Sequence, residues 1–294
     1  MRIDVVFSGG GVKAYAFMGT LNRLKEADLE PVRVAGTSAG AIIAGLVAAG
    51  YDNKSIQQMA FDIDLKEFLD APPLTQYLPF TKWALLYFKM GLYRGVKLEK
   101  WLYDVLSEKG VYTFKDIPAG HLKMVVSDLS REKLIVIPDD LLTVYGIRPE
   151  EFSVATAIRM SAGFPYFFMP KKLMGTDHCE SVIVDGGLLS NFPLWIFGNG
   201  KVKKLRPVLG VQLTDQDPPM TTISNATHML RSFFTTMKEA HDTRYIDQSH
   251  VNNIIHIPVE HIEAVDMKVS KEVKQRLVDK GYQEADHFLK HWST

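Results

Sequence analysis

The sequence predicts an α/β fold, a three-layer α/β/α arrangement with a mostly parallel central sheet, on three observations. Short apolar β-rich runs alternate with helical patterns, glycines mark the strand-to-helix junctions, and no linker, low-complexity run or internal repeat divides the 294 residues. Parallel strands need crossover connections, usually helices, so this alternation is the pattern such a sheet requires. A chain of this length can bury about three quarters of its unfolded surface, and residues 1–294 read as a single domain.

Residues 3–7 form a β-rich run, then come glycines and a helical pattern over 14–27 with Phe17, Leu21 and Leu24 on one face. A second strand at 32–35 meets a glycine-bounded turn at 36–40 and a helix at 41–49 that is apolar nearly all round. The first 50 residues therefore read β-α-β-α. Helices are expected over 55–69, 97–109, 149–160, 225–248 and 270–290, and strands at 123–128, 133–138, 182–185, 207–213 and 254–257. Residues 72–94, rich in Pro, Trp, Tyr and Phe, are the least regular stretch. Their aromatics beside Lys82, Lys89 and Arg94 suit either an interfacial lid touching lipid or an inserted helix packed over the core.

Composition narrows the function classes. Lys plus Arg equals Asp plus Glu at 34 each, so no global field recruits nucleic acid or an anionic bilayer, and any membrane contact must be local. The one cysteine, Cys179, has no disulfide or Cys-site zinc partner. It reads as a small packed residue in a chain suited to a reducing, cytoplasmic compartment. The start, MRIDVVFSGGG, lacks the basic head and apolar run of a signal peptide. The apolar run at 39–50 is about half the length of a spanning helix.

Three short motifs carry the chemistry. Gly36-Thr37-Ser38-Ala39-Gly40 is a G-x-S-x-G between a strand and a helix, the context in which a nucleophilic serine is pushed out on a sharp turn; a plain helix-capping serine is the other reading. Gly9-Gly10-Gly11 ends the first strand one β-α unit earlier and leaves backbone N–H groups unobstructed, as stabilising an oxyanion requires. A phosphate-binding turn competes, but neither the Lys-Ser/Thr ending of a P-loop nor G-x-G-x-x-G spacing is present. Asp185-Gly186-Gly187 puts a carboxylate at a strand end, as a serine's base or as an ordinary Asp-Gly turn.

Together these motifs resemble the patatin-like phospholipase family, with its G-G-G-x-K/R-G loop, G-x-S-x-G elbow and D-G-G/A aspartate. They stand here as GGGVKA at 9–14, GTSAG at 36–40 and DGG at 185–187, and Ser161-Ala162-Gly163-Phe164-Pro165 is similar to that family's S-x-A/G-x-P block. The resemblance spans about the first two thirds of the chain; Ala14 departs from the usual glycine while Lys13 keeps the basic position. It implies a patatin-like fold and a serine acyl-hydrolase acting on phospholipids, lysophospholipids or related lipids through an acyl-enzyme. Ser38 would be the nucleophile, Asp185 the base, and Gly9, Gly10 and Gly11 the oxyanion hole, with no metal or cofactor.

Two other readings compete. A Ser-Asp-His esterase would draw on His228, His241, His250, His256 or His261, but none stands in a catalytic-loop context, and only 37 residues precede Ser38. A non-catalytic lipid-binding or regulatory relative would not need Ser38, Asp185 and the glycines together. His287 and His291, spaced i, i+4, lack the Glu of a zinc-protease motif and read as solvent-facing, and His178-Cys179-Glu180 reads as a loop.

Overall fold

The computed structural model describes residues 1–72, 81–197, 206–215, 251–260 and 266–292, with isolated positions between 223 and 262. Strand β1 (Arg2–Phe7) passes through a 3-10 turn into α1 (Tyr15–Glu26), and β2 (Glu30–Gly36) turns at Thr37 and Ser38 into α2 (Ala39–Ala48). Then follow α3 (Asn53–Asp62), α4 (Thr81–Lys89), β3 (Gly91–Tyr93), α5 (Val96–Ser107), β4 (Leu122–Asp128) and β5 (Lys133–Ile137). The chain continues with α6 (Leu141–Tyr145), α7 (Val154–Ser161), β6 (Tyr166–Phe168), β7 (Lys171–Met174), β8 (Glu180–Asp185), β9 (Val208–Asp215), β10 (Ile254–Val259) and α8 (Lys271–His291).

The main sheet runs β10-β9-β1-β2-β4-β8-β7, with β5 also paired to β4. Neighbours from β10 to β4 are parallel, while β5 and β8 are antiparallel to β4. The α/β class expected from the sequence is thus the one that forms. Side chains alternate across a strand, so Val5, Phe7, Val34, Met124 and Val126 enter the larger core against the helices. Val6, Ala35, Val125 and Val136 face the opposite side with Phe192, Leu194 and Ile196. Complete burial of such side chains contributes about 1.5–3 kcal/mol each.

One detail of the sheet positions the site. Strand β4 pairs with β5 over Met124 to Asp128, so its other edge must carry both remaining partners. There β2 ends with Gly36 opposite Met124, and β8 arrives from the other direction and ends with Asp185 opposite Val126. The ends of β2 and β8 therefore face each other along one edge of β4, with Val125 in the gap.

Beyond residue 213, where no recognisable motif occurs, helix α8 joins the core. Helix α8 crosses α1 so closely that a side chain at Gly281 would lie 1.8 Å from Ala16 O, and one at Gly19 would lie 1.8 Å from Val278 O. Lys274 of α8, 5% exposed, donates to Ala60 O, Phe61 O and Ile63 O at the end of α3.

Several local expectations are corrected. The helix expected over 55–69 stops at Asp62, where Ile63 turns extended and Asp64 caps a separate 3-10 turn. The helix expected over 149–160 is broken: Phe152 and Ser153 are extended, and the Ser153 side chain accepts from Thr156 N–H to start α7 afresh. The short elements β3, α6, β6 and β7 are additional. Cys179 is exposed, not packed, in a polar turn where its N–H donates to Asp177 Oδ1. The helix expected over 225–248 lies almost wholly outside the described residues.

Candidate active site

Ser38 occupies a backbone conformation that few L residues adopt, φ 55° and ψ −124°, immediately before α2. Strain of this kind costs about 1–3 kcal/mol and persists only where surroundings impose it. Here Gly36 and Gly40 let the turn close, and a side chain at Gly40 would lie 2.5 Å from Ser8 O and 2.7 Å from Phe7 O of the neighbouring strand and loop. The turn lifts the half-buried Ser38 off the sheet, and its Oγ–H donates to Asp185 Oδ2 at 2.7 Å. The other carboxylate oxygen, Oδ1, accepts from Gly187 N–H at 2.7 Å, and Asp185 is only 3% exposed.

The glycine loop lies beside this pair: a side chain at Gly9 would meet Ser38 Cβ at 3.3 Å. Its three amides are not equivalent. Gly9 is buried, and its N–H donates to Asn191 O at 2.8 Å. Gly10 and Gly11 are partly exposed, and their N–H groups have no partner among the described residues. Gly11 has φ 57°, the left-handed region that glycine enters without penalty. Lys13 reaches past the loop to form an ion pair with Asp215 at the end of β9.

The turn after Asp185 ties the motifs together. Asn191 O holds Gly9, Ser190 O accepts from Thr37 Oγ1 at 3.0 Å, and Gly187 N–H holds the carboxylate. Sequence reasoning did not single out Ser190 or Asn191, although a polar Ser-Asn pair between Leu189 and Phe192-Pro193 was a visible signal. Behind the site, Arg159 is 1% exposed and donates to Gly95 O, Arg94 O and Met169 O, with its guanidinium 4.5 Å from the Phe168 ring centre. Burial pulls its pKa down to about 10, while Glu99, Asp70 and Asp185 push it back up. It therefore stays cationic at neutral pH.

The remaining candidates lie elsewhere or beyond description. His256 sits on β10, with β9 and β1 between it and β2; His228, His241, His250 and His261 are outside the described residues. His287 and His291 are exposed on α8, and no group of His, Cys, Asp or Glu suited to a metal exists among the described residues. In the aromatic segment, 73–80 and the side chains of 81–84 lie outside description. Tyr87 and Phe88 on α4 are 81% and 74% exposed, so these two do not fill the core. Among the described residues no helix is long and apolar enough to cross a membrane.

The fold is thus that of an α/β protein with a mostly parallel sheet, in which a strained serine at one strand end is bonded directly to an aspartate at another. The patatin-like phospholipase family model matches residues 5–197, and the chain belongs to that family. It is 42% identical over 295 residues to YqhO of Bacillus subtilis (strain 168), covering the full length of both. It is also 24% identical to the cUMP-AMP-activated phospholipase of Escherichia coli, covering 64% of this chain and 55% of that protein. VipD of Legionella pneumophila superposes with a TM-score of 0.59 at 19% identity, over 98% of this chain and 66% of VipD. The type III effector ExoU gives a TM-score of 0.51 at 18% identity, over 98% and 52% of the respective chains. At these identities the two structures speak for the fold.

Proposed function

We propose that the protein is a serine acyl-hydrolase that cleaves ester bonds of phospholipids, lysophospholipids or related lipids through an acyl-enzyme. The observation that carries this reading is the 2.7 Å hydrogen bond from Ser38 Oγ to Asp185 Oδ2. In the first half-reaction Ser38 Oγ attacks the ester carbonyl carbon as its proton passes to Asp185. Asp185 then gives that proton to the leaving alcohol as the C–O bond breaks. In the second, Asp185 takes a proton from water, the resulting hydroxide attacks the acyl-serine, and Ser38 recovers its proton.

The tetrahedral oxyanion formed in each half needs donors beside Ser38. Gly10 and Gly11 fit that role, because their N–H groups have no partner among the described residues, whereas Gly9 uses its own to fix the loop. The N-terminus of α2 adds a favourable dipole on the same side. Loss of one donor typically costs 10²–10³ in kcat, about 2.7–4 kcal/mol. Tyr87 and Phe88, exposed on α4 just before β3, support contact of α4 with a lipid surface at which the protein is a peripheral visitor.

The test is intact-mass spectrometry after treatment with a fluorophosphonate ester in metal-free buffer. The wild type should gain one phosphonyl group, and Ser38→Ala should gain none. Asp185→Asn should label at least about 100-fold more slowly, since an amide in place of the carboxylate no longer accepts the serine proton. A folded wild type that does not react would point instead to a lipid-binding protein without this chemistry.

A further inference from the structure

We infer that Ser161 is a positioning residue, holding the nucleophile in place through its hydroxyl, and that residues 161–163 form a clamp setting the separation between Ser38 and Asp185. The inference rests on the hydrolase reading for its kinetic consequence but on geometry alone for the clamp. Ser161 ends α7 and is fully buried. Its Oγ–H donates to Val125 O at 2.8 Å, and its oxygen accepts from Ser38 N–H at 3.1 Å. The direction of both bonds is forced, because a carbonyl can only accept and an amide N–H can only donate.

Val125 is the β4 residue lying between the end of β2 and the end of β8. Its buried carbonyl lies against the start of the turn after β8, where a side chain at Gly186 would stand 2.3 Å from the oxygen, and it needs a donor there. The nucleophile turn has the complementary problem: with Ser38 at φ 55°, its N–H is directed away from the helical ladder of α2. One hydroxyl satisfies both groups. Two residues further on, Gly163 O accepts from Asp185 N–H at 3.0 Å. The same short segment thus grips the backbone of Ser38 and of Asp185, and passes the position of β4 to each.

Removing the hydroxyl takes one hydrogen bond from Val125 O and one from Ser38 N–H, beside a strained residue. Ser38 would then relax and its Oγ would swing from Asp185. Misplacement of about 1 Å at a reacting group lowers rates on the order of 100-fold. Substrate binding, which does not depend on this hydroxyl, should change little. A purely structural role would instead lower stability and leave the folded fraction fully reactive.

The experiment compares full-length wild type, Ser161→Ala and Ser161→Thr. It reads thermal unfolding, kcat and KM on a short p-nitrophenyl ester, the rate of fluorophosphonate labelling, and amide hydrogen exchange at Ser38. Ser161→Ala should melt cooperatively, lose about 10- to 100-fold in kcat and labelling rate, keep KM within about threefold, and exchange its Ser38 amide at least about tenfold faster. Ser161→Thr, which retains the hydroxyl, should recover most of the rate. A cooperatively folded Ser161→Ala with wild-type labelling and an unaltered Ser38 amide overturns the clamp. Should Ser161→Ala fail to melt cooperatively, Ser161→Thr decides: folded with near wild-type labelling supports the hydroxyl's role, folded with labelling more than about tenfold down overturns it. An unreactive wild type sinks the hydrolase reading alone, because the Ser38 exchange comparison still tests the clamp.

Discussion

Replacing Gly40 by alanine tests whether the fit between α2 and the glycine loop sets catalytic geometry. The added Cβ would stand 2.5 Å from Ser8 O and 2.7 Å from Phe7 O, both backbone atoms that cannot rotate away. Ordinary contact begins near 3.4 Å, so the first turn of α2 must retreat by roughly 0.9 Å. Ser38 lies two residues earlier on that turn, and Ser8 leads through Gly9 to the donors proposed at Gly10 and Gly11. The retreat therefore opens the distance across which an oxyanion would be bonded. A hydrogen bond of about 2.9 Å lengthened by that amount passes beyond useful range, and losing such a donor lowers kcat about 100- to 1,000-fold. Overpacking should also destabilise by about 1–3 kcal/mol, leaving a protein of ordinary stability folded. The assay is kcat on a short p-nitrophenyl ester alongside urea unfolding. Gly45→Ala on the same helix is the control, because its Cβ would meet only the tip of the Ile158 side chain, which can move. Its kcat should stay within about threefold of wild type. A folded Gly40→Ala enzyme with wild-type kcat would refute the reasoning.

Arg159→Met should destabilise by about 1–3 kcal/mol in urea unfolding, since the carbonyls of Arg94, Gly95 and Met169 lose their buried donor; an unchanged midpoint would show that the guanidinium's own burial offsets those bonds. Burial pushes the Tyr15 pKa up to about 12. Below about pH 10 the phenol is neutral in folded and unfolded chains alike, whereas between there and about pH 12 only the unfolded chain ionises, so stability falls as pH rises through that window. The stability difference between wild type and Tyr15→Phe should therefore shift against wild type from pH 9 to about pH 11.5, and a constant difference would exclude this role. Replacing Tyr87 and Phe88 together by serine should leave stability within about 0.5 kcal/mol and short-ester turnover unchanged, while lowering hydrolysis of vesicle lipid about tenfold. Equal vesicle activity would remove these residues from lipid contact.

The parts of the site visible in the sequence are those set by local turn chemistry. Gly36 to Gly40 encodes a sharp strand-to-helix turn in five adjacent residues, and Asp185 announces itself as a carboxylate between an apolar strand and two glycines. What escaped reading depends on partners far along the chain. Ser161 bonds Val125 and Ser38 across 36 and 123 residues, and Gly9 spends its amide on Asn191, 182 residues away in sequence. No pattern near Gly9 distinguishes a spent donor from a free one. Strands β3 and β6 leave no signal in the sequence because three residues are too few to show alternation, and among the described residues they pair only with each other. Cys179 was misplaced for a different reason. Its residue type favours burial, but Asp177, His178 and Glu180 around it mark a polar turn, and the neighbours decide exposure.

The direct contact between serine and aspartate follows from the register of one strand. On β4, Met124 and Val126 are two residues apart, about 6.8 Å, and they pair with Gly36 and Asp185 respectively. From Gly36 the chain needs only Thr37 and the turn at Ser38 to cross that gap, and Ser38 Oγ then meets the carboxylate with no residue between them. A register slip of one residue in β8 would displace Asp185 by about 3.4 Å and turn its side chain to the other face of the sheet. That slip would break the hydrogen bond and remove Asp185 N–H from Gly163 O. The pairing of β8 with β4 and the clamp at 161–163 therefore specify the same distance by independent bonds, one through the sheet and one through a loop. An imidazole is needed where serine and carboxylate are held too far apart to share a proton. Here the register of β4 closes that gap, so the proposed chemistry calls for a proton path of two residues only.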